Sequence, residues 1–533
     1  MEIDCIPFRN TGYFSKLICD YLDNQETLTP FFNRFPTLDS FRGQLEEKTN
    51  SYPPEYRIVL GDALSKQYEG LRATSITLEN IESLKQTKTF TVVTGHQLNL
   101  FTGPMYFLYK IISTINLTEL LKEKYPEYNF VPIYWMATED HDFEEINYFN
   151  FGGQKIRWNL NASGAVGRLS TTGLEEVANV FRNQVGISDN ARDLLSLFEK
   201  AYLNHETLSE ATRYLANSLF GNYGLVIVDG DDRSLKQLLV PYAKQDIFDH
   251  LPYDKVTETA HELSAVSQDY AIQVNPREIN YFYLLEGVRE RIVEEQGSFK
   301  VNGTSLQFSR EELVRTLEDF PERFSPNVIA RPLYQEIVLP NLCYIGGGGE
   351  LAYWLELKSY FESMKITFPT LLLRNSALII TEKNTEKLNK MQLGVADLFL
   401  KQSSLINKKI RQISNIAIDF TPQKKALETQ FEALYELAQA TDASFLGAVK
   451  AQEVKQKKGL DTLEKRLLKA QKRKLKDHVV RLTTLQNQLF PNQSLQERQL
   501  NFSELYLEYG AQLIPMLKRV LDPLKMEFLI LRD

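Results

Sequence analysis

The feature that most constrains this chain lies between residues 89 and 142. Thr89–Thr94 (TFTVVT) is a short β-branched run, followed by Gly95-His96-Gln97 and a loop carrying Asn99 and Thr102-Gly103-Pro104. Met105–Leu121 then has the apolar content of a buried helix. Val131–Ala137 (VPIYWMA) is a second apolar strand, ending in Thr138-Glu139-Asp140-His141-Asp142. Strand, loop, helix, strand is one βαβ unit, and such a unit commits the chain to a parallel sheet covered by helices.

The remaining sheet pieces are scattered. Residues 145–170 have the glycine turns of a hairpin, and helices fill 172–220. Leu225–Val228 (LVIV) is a further buried-type strand, closed by Asp229-Gly230-Asp231-Asp232. Residues 270–308 alternate and carry Gly297 and Asn302-Gly303, the pattern of a second small β insertion. Thr370–Leu373 and Ala377–Ile380 complete the strands. These breaks divide the chain into a helical part at 1–88 and a first core half at 89–150. An insertion at 151–220, more core at 221–269, a second insertion at 270–324 and a last core part at 325–382 follow.

After Thr381 glycine and proline thin out and the helical period takes over. Leu460, Leu463, Leu467 and Ala470 are spaced 3, 4, 3, the seam of a coiled coil. The phase then slips to Leu475, Val479, Leu482 and Leu489, in the manner of a stutter. Pro422 starts a helix and Pro491 ends one, which puts a coiled coil at 383–490 and a helical tail at 491–533. The predicted fold class is therefore α/β: a parallel-sheet core with inserted subdomains and a long helical coiled coil.

Cys5, Cys19 and Cys343 are the only cysteines, with no CxxC spacing, which argues against a disulfide framework and a thiolate zinc site. No apolar run reaches the ~18 residues that span a bilayer, and the N-terminus has no apolar signal core. A reducing cytoplasm is the expected compartment. Net charge is −8, yet Lys450–Lys476 holds 11 basic and 3 acidic residues. No aromatic residue interrupts that run, so it reads as a solvated helix face, not a nucleic-acid surface.

Three clusters can carry chemistry. Gly95, His96, Gln97, Asn99, Gly103 and Pro104 lie past a strand and before a helix, where open parallel sheets bind ligands. The glycines permit close backbone approach, and the helix start favours an anion such as phosphate. Glu139, Asp140, His141 and Asp142 sit at the next strand end, where crowded carboxylates can hold an ammonium group or act as a base. The alternative there is an acidic helix start. Gly346, Gly347, Gly348 and Gly349, before Glu350 and a helix, suit a backbone cradle for phosphate or carboxylate, and Arg331 can supply a fixed cation. Adjacent residues do not converge on one ion as HExxH does, so no metal site is expected.

With these residues in hand, the chain resembles a known family. VVTGHQLNLFTGPMYFLYKIIS, VPIYWMATEDHDFEEIN and ERFSPNVIARPLYQEIVLPNLCYIGGGGELAYWLELK, in that order, are similar to the cysteine ligases of bacillithiol biosynthesis (the BshC family). The resemblance implies joining of cysteine to the amine of glucosaminyl malate, with ATP or another nucleotide activating the carboxylate. It implies a Rossmann-type core with connecting-peptide insertions, similar to class I aminoacyl-tRNA synthetases, and a homodimer through the coiled coil; composition adds the expectation of no nucleic-acid or membrane partner. It puts Gly95-His96-Gln97 at the nucleotide phosphates, Glu139–Asp142 on an amine, and Arg331, Glu350 and Trp354 on the substrate. No Lys-Met-Ser-Lys-Ser-like loop is present. The rival readings are a non-catalytic nucleotide-binding scaffold and a metal-dependent hydrolase built on the Glu139–Asp142 cluster.

Overall fold

The computed structural model describes residues 2–441 and 443–533, and these fall into two compact units. The first comprises residues 3–377 and 496–530; the second is built around residues 378–495.

In the first unit five strands form one sheet: β1 Thr89–His96, β2 Asn129–Met136, β3 Val226–Asp229, β4 Asn341–Gly346 and β5 Thr370–Leu373. All four neighbouring pairs are parallel, in the spatial order β3-β2-β1-β4-β5. This is the doubly wound order, whose direction of growth reverses between β1 and β4 and opens a crevice at their carboxyl ends. Every residue of β1 and β4 is buried, as central strands covered by helices on both faces require. The sequence reading finds β1, β2, β3 and β5 but not β4. Ala377–Ile380 is a strand that lies outside this sheet.

Helix α1 (Tyr106–Lys124) connects β1 to β2, α2 (Leu208–Phe220) leads into β3, α3 (Arg233–Asp249) leaves it, α4 (Ala330–Val338) leads into β4, and α5 (Gly348–Trp354) leaves β4. α1 is buried almost all round, so its one internal cation, Lys110, is buried with it. The N-terminal helices belong to this body. Tyr21 Oη donates to Leu371 O of β5 at 2.6 Å, and Arg57 Nη1 to Thr89 O of β1 at 2.7 Å. The first insertion holds the hairpin Tyr148–Phe151/Gln154–Arg157. The second makes an antiparallel sheet from strands between Tyr281 and Phe308, to which Phe324–Pro326 adds an edge. Where the sequence reading has a wholly helical tail, Phe528–Arg532 (FLILR) is a strand, in keeping with its apolar β-former content.

The second unit contains α6 (Gln402–Ile413), α7 (Thr421–Gln439), α8 (Ala443–Lys474) and α9 (Lys476–Leu489). α7 and α8 run antiparallel: Tyr435 Oη meets Glu453 at 2.6 Å, Lys457 meets Glu428 at 2.9 Å, and Lys424 meets Asp461 at 2.7 Å. The expected seam of Leu460, Leu463, Leu467 and Ala470 needs correction at one position. Leu463 is 52% exposed, whereas Leu468 is buried against Ile410 and Ile418, with Leu467 packed beside them. The buried and half-buried positions of α8 include 449, 453, 457, 460, 464, 467, 468, 470 and 471. Within that stripe 449, 460 and 471, 453 and 464, and 457 and 468 recur at 11 residues. Counting only leucines hides it, because Glu453, Lys457 and Glu464 take inward places and are satisfied by ion pairs.

Candidate active site

The carboxyl ends of β1, β2 and β4, with the second insertion above them, enclose a cavity of about 800 Å³. Its wall includes Lys110, Arg277, Arg289, Arg291, Arg331, Arg374 and Arg498, seven cations, against Glu139, Asp140 and Glu350. In a chain of net charge −8 this is a concentrated positive field, and it suits anionic ligands.

At the end of β1, Gly95, His96 and Gln97 all line the cavity. Lys110 reaches up from α1, donating to Gly95 O at 2.7 Å and to Glu350 Oε1 at 2.8 Å. His96 is buried between Tyr106 and Phe107. Burial and the Lys110 charge push its pKa down to about 3, so the ring is neutral. Its Nε2 is sealed off and has no partner among the described residues. A neutral imidazole buried in this way adds no charge to the cavity wall.

Asn99, Gly103 and Pro104 do not line the cavity; they shape the turn that follows β1. Phe101, Thr102 and Gly103 all have positive φ, and a Cβ on Gly103 would lie 2.5 Å from that of Asn99. Asn501 pins the turn, its Nδ2 donating to Phe101 O and Gly103 O at 2.7 Å each. Asn99 donates to Glu145 O at 3.2 Å.

The acidic cluster after β2 does not act as one group. Glu139 lines the cavity and is ion-paired to Lys236 of α3. Asp140 accepts the His141 backbone N–H at 2.7 Å and Gln97 Nε2 at 2.9 Å. His141 Nδ1 lies 2.7 Å from Arg289 Nη1, and Arg289 stacks on Phe282 at 4.0 Å. Asp142 is exposed, outside the lining, at the start of the short helix Phe143–Ile146. Glu139, Asp140 and His141 thus turn to three different partners and Asp142 to solvent, as consecutive residues leaving a strand must.

Of the glycine run, Gly347 and Gly349 face the cavity. Gly346 ends β4, and Gly348 packs toward Phe14 and Ile18. The Gly347 N–H is already taken by Glu350 Oε2 at 2.7 Å, in a capping box. Glu350 also accepts from Lys110 and from Tyr344 Oη at 3.0 Å, so its carboxylate is committed to building the floor. These partners hold its pKa below the usual carboxylate range in spite of burial. Trp354 is wholly buried and stacked on Tyr344 at 4.4 Å; it supports the wall from behind.

Arg331, on the first turn of α4, reaches the crevice between β1 and β4. It donates to neutral groups: Gln335 Oε1 at 3.1 Å and Tyr353 Oη at 3.4 Å. A largely buried guanidinium with neutral partners is ready for a carboxylate or phosphate. Arg374, just past β5, is by contrast committed to Glu497 at 2.7 Å.

Lys110, Lys236, Arg289 and Arg374 escape the sequence reading, which looks only at polar clusters. Lys110 and Arg374 do leave a signal: a single cation inside an apolar helix, and a cation directly after a β-strand.

Comparison with known proteins bears on the whole chain. Residues 1–375 match the family model described as bacillithiol biosynthesis BshC, N-terminal Rossmann-like domain. Residues 377–532 match its C-terminal coiled-coil domain. Relatives named "Putative cysteine ligase BshC" occur in Flavobacterium johnsoniae, 57% identical over the full length of both chains, and in Christiangramia forsetii, 57% identical over all of this chain and 99% of the other. A third, from Flavobacterium psychrophilum, is 54% identical over the full length of both.

Proposed function

The chain belongs to the BshC family of bacillithiol biosynthesis, and from that premise we propose that it is a cysteine ligase acting on the amine of glucosaminyl malate. The observation that carries this reading is the cavity at the β1–β4 crevice, where the three family-like blocks converge and cations outnumber acids seven to three. Glucosaminyl malate carries carboxylates, a nucleotide carries phosphates, and cysteine carries one carboxylate, so every reactant brings negative charge to a positive cavity.

A free carboxylate does not form an amide at neutral pH without activation, so a nucleoside triphosphate, ATP in the simplest case, supplies the activating group when bound. The residues suited to hold it are His96 and Gln97, beside Gly347 and Gly349. Arg331 pairs with a carboxylate of the malate moiety. Glu139, Asp140 and His141 face the amine. The enzyme works in the cytoplasm, as a homodimer through the helical unit.

The test is incubation of the purified chain with cysteine, glucosaminyl malate and ATP, followed by mass spectrometry. The expected result is the cysteinyl amide, together with AMP or ADP. Absence of amide with all three present, under conditions where the protein is folded, would reject the reading.

A further inference from the structure

Glu139 is the one carboxylate on the cavity wall that has a buried cation behind it and an oxygen to spare. Asp140 spends both oxygens on Gln97 and on the turn, and Glu350 spends both on the floor. Glu139 Oε1 is held by Lys236, whereas Oε2 has no partner among the described residues and is not sealed off from solvent. Lys236 is completely buried. Its Nζ also donates to Phe324 O at 2.5 Å and lies 5.6 Å from the Tyr334 ring centre, so the side chain has no freedom to swing away. A buried lysine costs several kcal/mol of desolvation unless it is paired. The fold retains one here, behind a residue that faces the cavity.

We propose that Lys236 is a positioning residue that presents Glu139 Oε2 to the cavity, and that Glu139 accepts the proton lost by the amine nucleophile. The inference rests on the ligase reading. The substrate amine enters as an ammonium ion. One N–H bond breaks, its electron pair stays on nitrogen, and an O–H bond forms on Glu139 Oε2. The freed pair then makes the C–N bond to the activated cysteine carbonyl. The carbonyl's phosphate-type leaving group departs with its bonding pair, and the remaining surplus proton goes to water.

The surroundings fit this role. Burial and the neighbouring Asp231 raise the pKa of Glu139, making it more basic than an exposed carboxylate, while Lys236 and Arg289 act against protonation. Asp231 is itself neutralised by a two-pronged contact with Arg168, at 2.6 and 2.7 Å. Lys236 is thus the charge that keeps Glu139 a carboxylate at neutral pH.

The experiment compares Glu139→Gln, Lys236→Met and Lys236→Arg in the full chain. Two readouts are used: amide formation from cysteine, ATP and glucosaminyl malate as a function of pH, and the infrared carboxyl band obtained by subtracting the Glu139→Gln spectrum. Glu139→Gln is expected to lower kcat by about a hundredfold or more, with KM nearly unchanged. Lys236→Met is expected to move the acid limb of the kcat profile up by about one pH unit or more. It should also convert the carboxylate band at pH 7 to a carboxylic acid band. Lys236→Arg, which keeps the charge, should restore both. An unshifted acid limb in Lys236→Met, or full kcat in Glu139→Gln, overturns the proposal. If the wild type makes no amide, it is the ligase reading that falls. The infrared band still decides the pair, since an ionised Glu139 in Lys236→Met rules out the role given to the lysine.

Discussion

Asp246 offers a quantitative test of how the cavity wall is held. It lies on α3, fully buried, and its Oδ1 accepts the Asn280 backbone N–H at 2.9 Å. Asn280 in turn accepts from Arg277 N and Asn327 Nδ2, so the carboxyl anchors two loops that line the cavity. Asp246 Oδ2 has no partner among the described residues, and burial pushes the pKa from 3.8 up to about 7. A raised carboxyl pKa means that the folded state holds its proton more tightly than the unfolded chain does. The associated stability is fully present below pH 3.8 and is lost as pH rises through about 7. At about 1.4 kcal/mol per pH unit, the shift amounts to ~4 kcal/mol in all, of which ~3 kcal/mol disappears between pH 5 and pH 8. Asp246→Asn keeps the acceptor for Asn280 and cannot ionise. The Tyr281 and Tyr360 hydroxyls, both buried and unpartnered, are raised by burial and then by the Asp246 charge. The variant should therefore lose ground to wild type at pH 5 and gain on it at pH 8. The relative Tm should move by on the order of 4 °C for a body this size. Thermal unfolding of both proteins at each half pH unit isolates the difference, because every other group is shared. A difference that stays flat from pH 5 to 8 would show Asp246 to be ionised in the folded protein, and would refute the reasoning.

Three further outcomes are expected. Arg331→Gln should raise KM for the anionic substrate about ten- to a hundredfold with a Tm shift of only a few degrees, measured by steady-state kinetics and thermal unfolding; an unchanged KM removes Arg331 from the site. Asn501→Ala leaves two carbonyls of the 101–103 turn without their donor, and should cost ~2–4 kcal/mol in urea unfolding; a loss below ~0.5 kcal/mol means water replaces the amide at no cost. Leu437 and Leu463 are 61% and 52% exposed on the helical unit, so Leu437→Glu/Leu463→Glu should turn a micromolar dimer into a monomer in sedimentation velocity, and a wild-type monomer would refute dimerisation.

How much of this was legible follows from what each signal depends on. β1, α1 and β2 are legible because burial on both faces selects continuous β-branched and apolar residues, six in Thr89–Thr94 and seven in Val131–Ala137, on either side of an apolar helix. β4, their central neighbour, was not read. Asn341–Gly346 follows Pro340 and runs into four glycines, so its six residues look like punctuation. The inward stripe of α8 was missed for the opposite reason. Apolar periodicity is a proxy for burial, and it fails where the half-buried Glu453, Lys457 and Glu464 are satisfied by ion pairs, Glu453 with Lys457 on the same helix, Lys457 with Glu428 and Glu464 with Arg411.

The candidate site divides along the same line. Gly95, His96, Gln97, Glu139, Asp140, His141, Arg331, Gly347, Gly349 and Glu350 come together in one cavity because each leaves the end of a strand, or starts the helix beside one, and strand order brings those ends together. What strand order cannot reveal is which of them remain available to a ligand. That depends on partners distant in sequence: Lys110 on Glu350, 240 residues on; Lys236 on Glu139, 97 residues back; Asn501 on the turn that frames His96. Each partner is a single polar residue in an otherwise structural element, with no motif around it. Subtracting these commitments leaves the Arg331 guanidinium and Glu139 Oε2 among the groups still open to a ligand. A cation and a carboxylate oxygen match, in kind, the carboxylate and the amine that an amide-forming ligase must bring together.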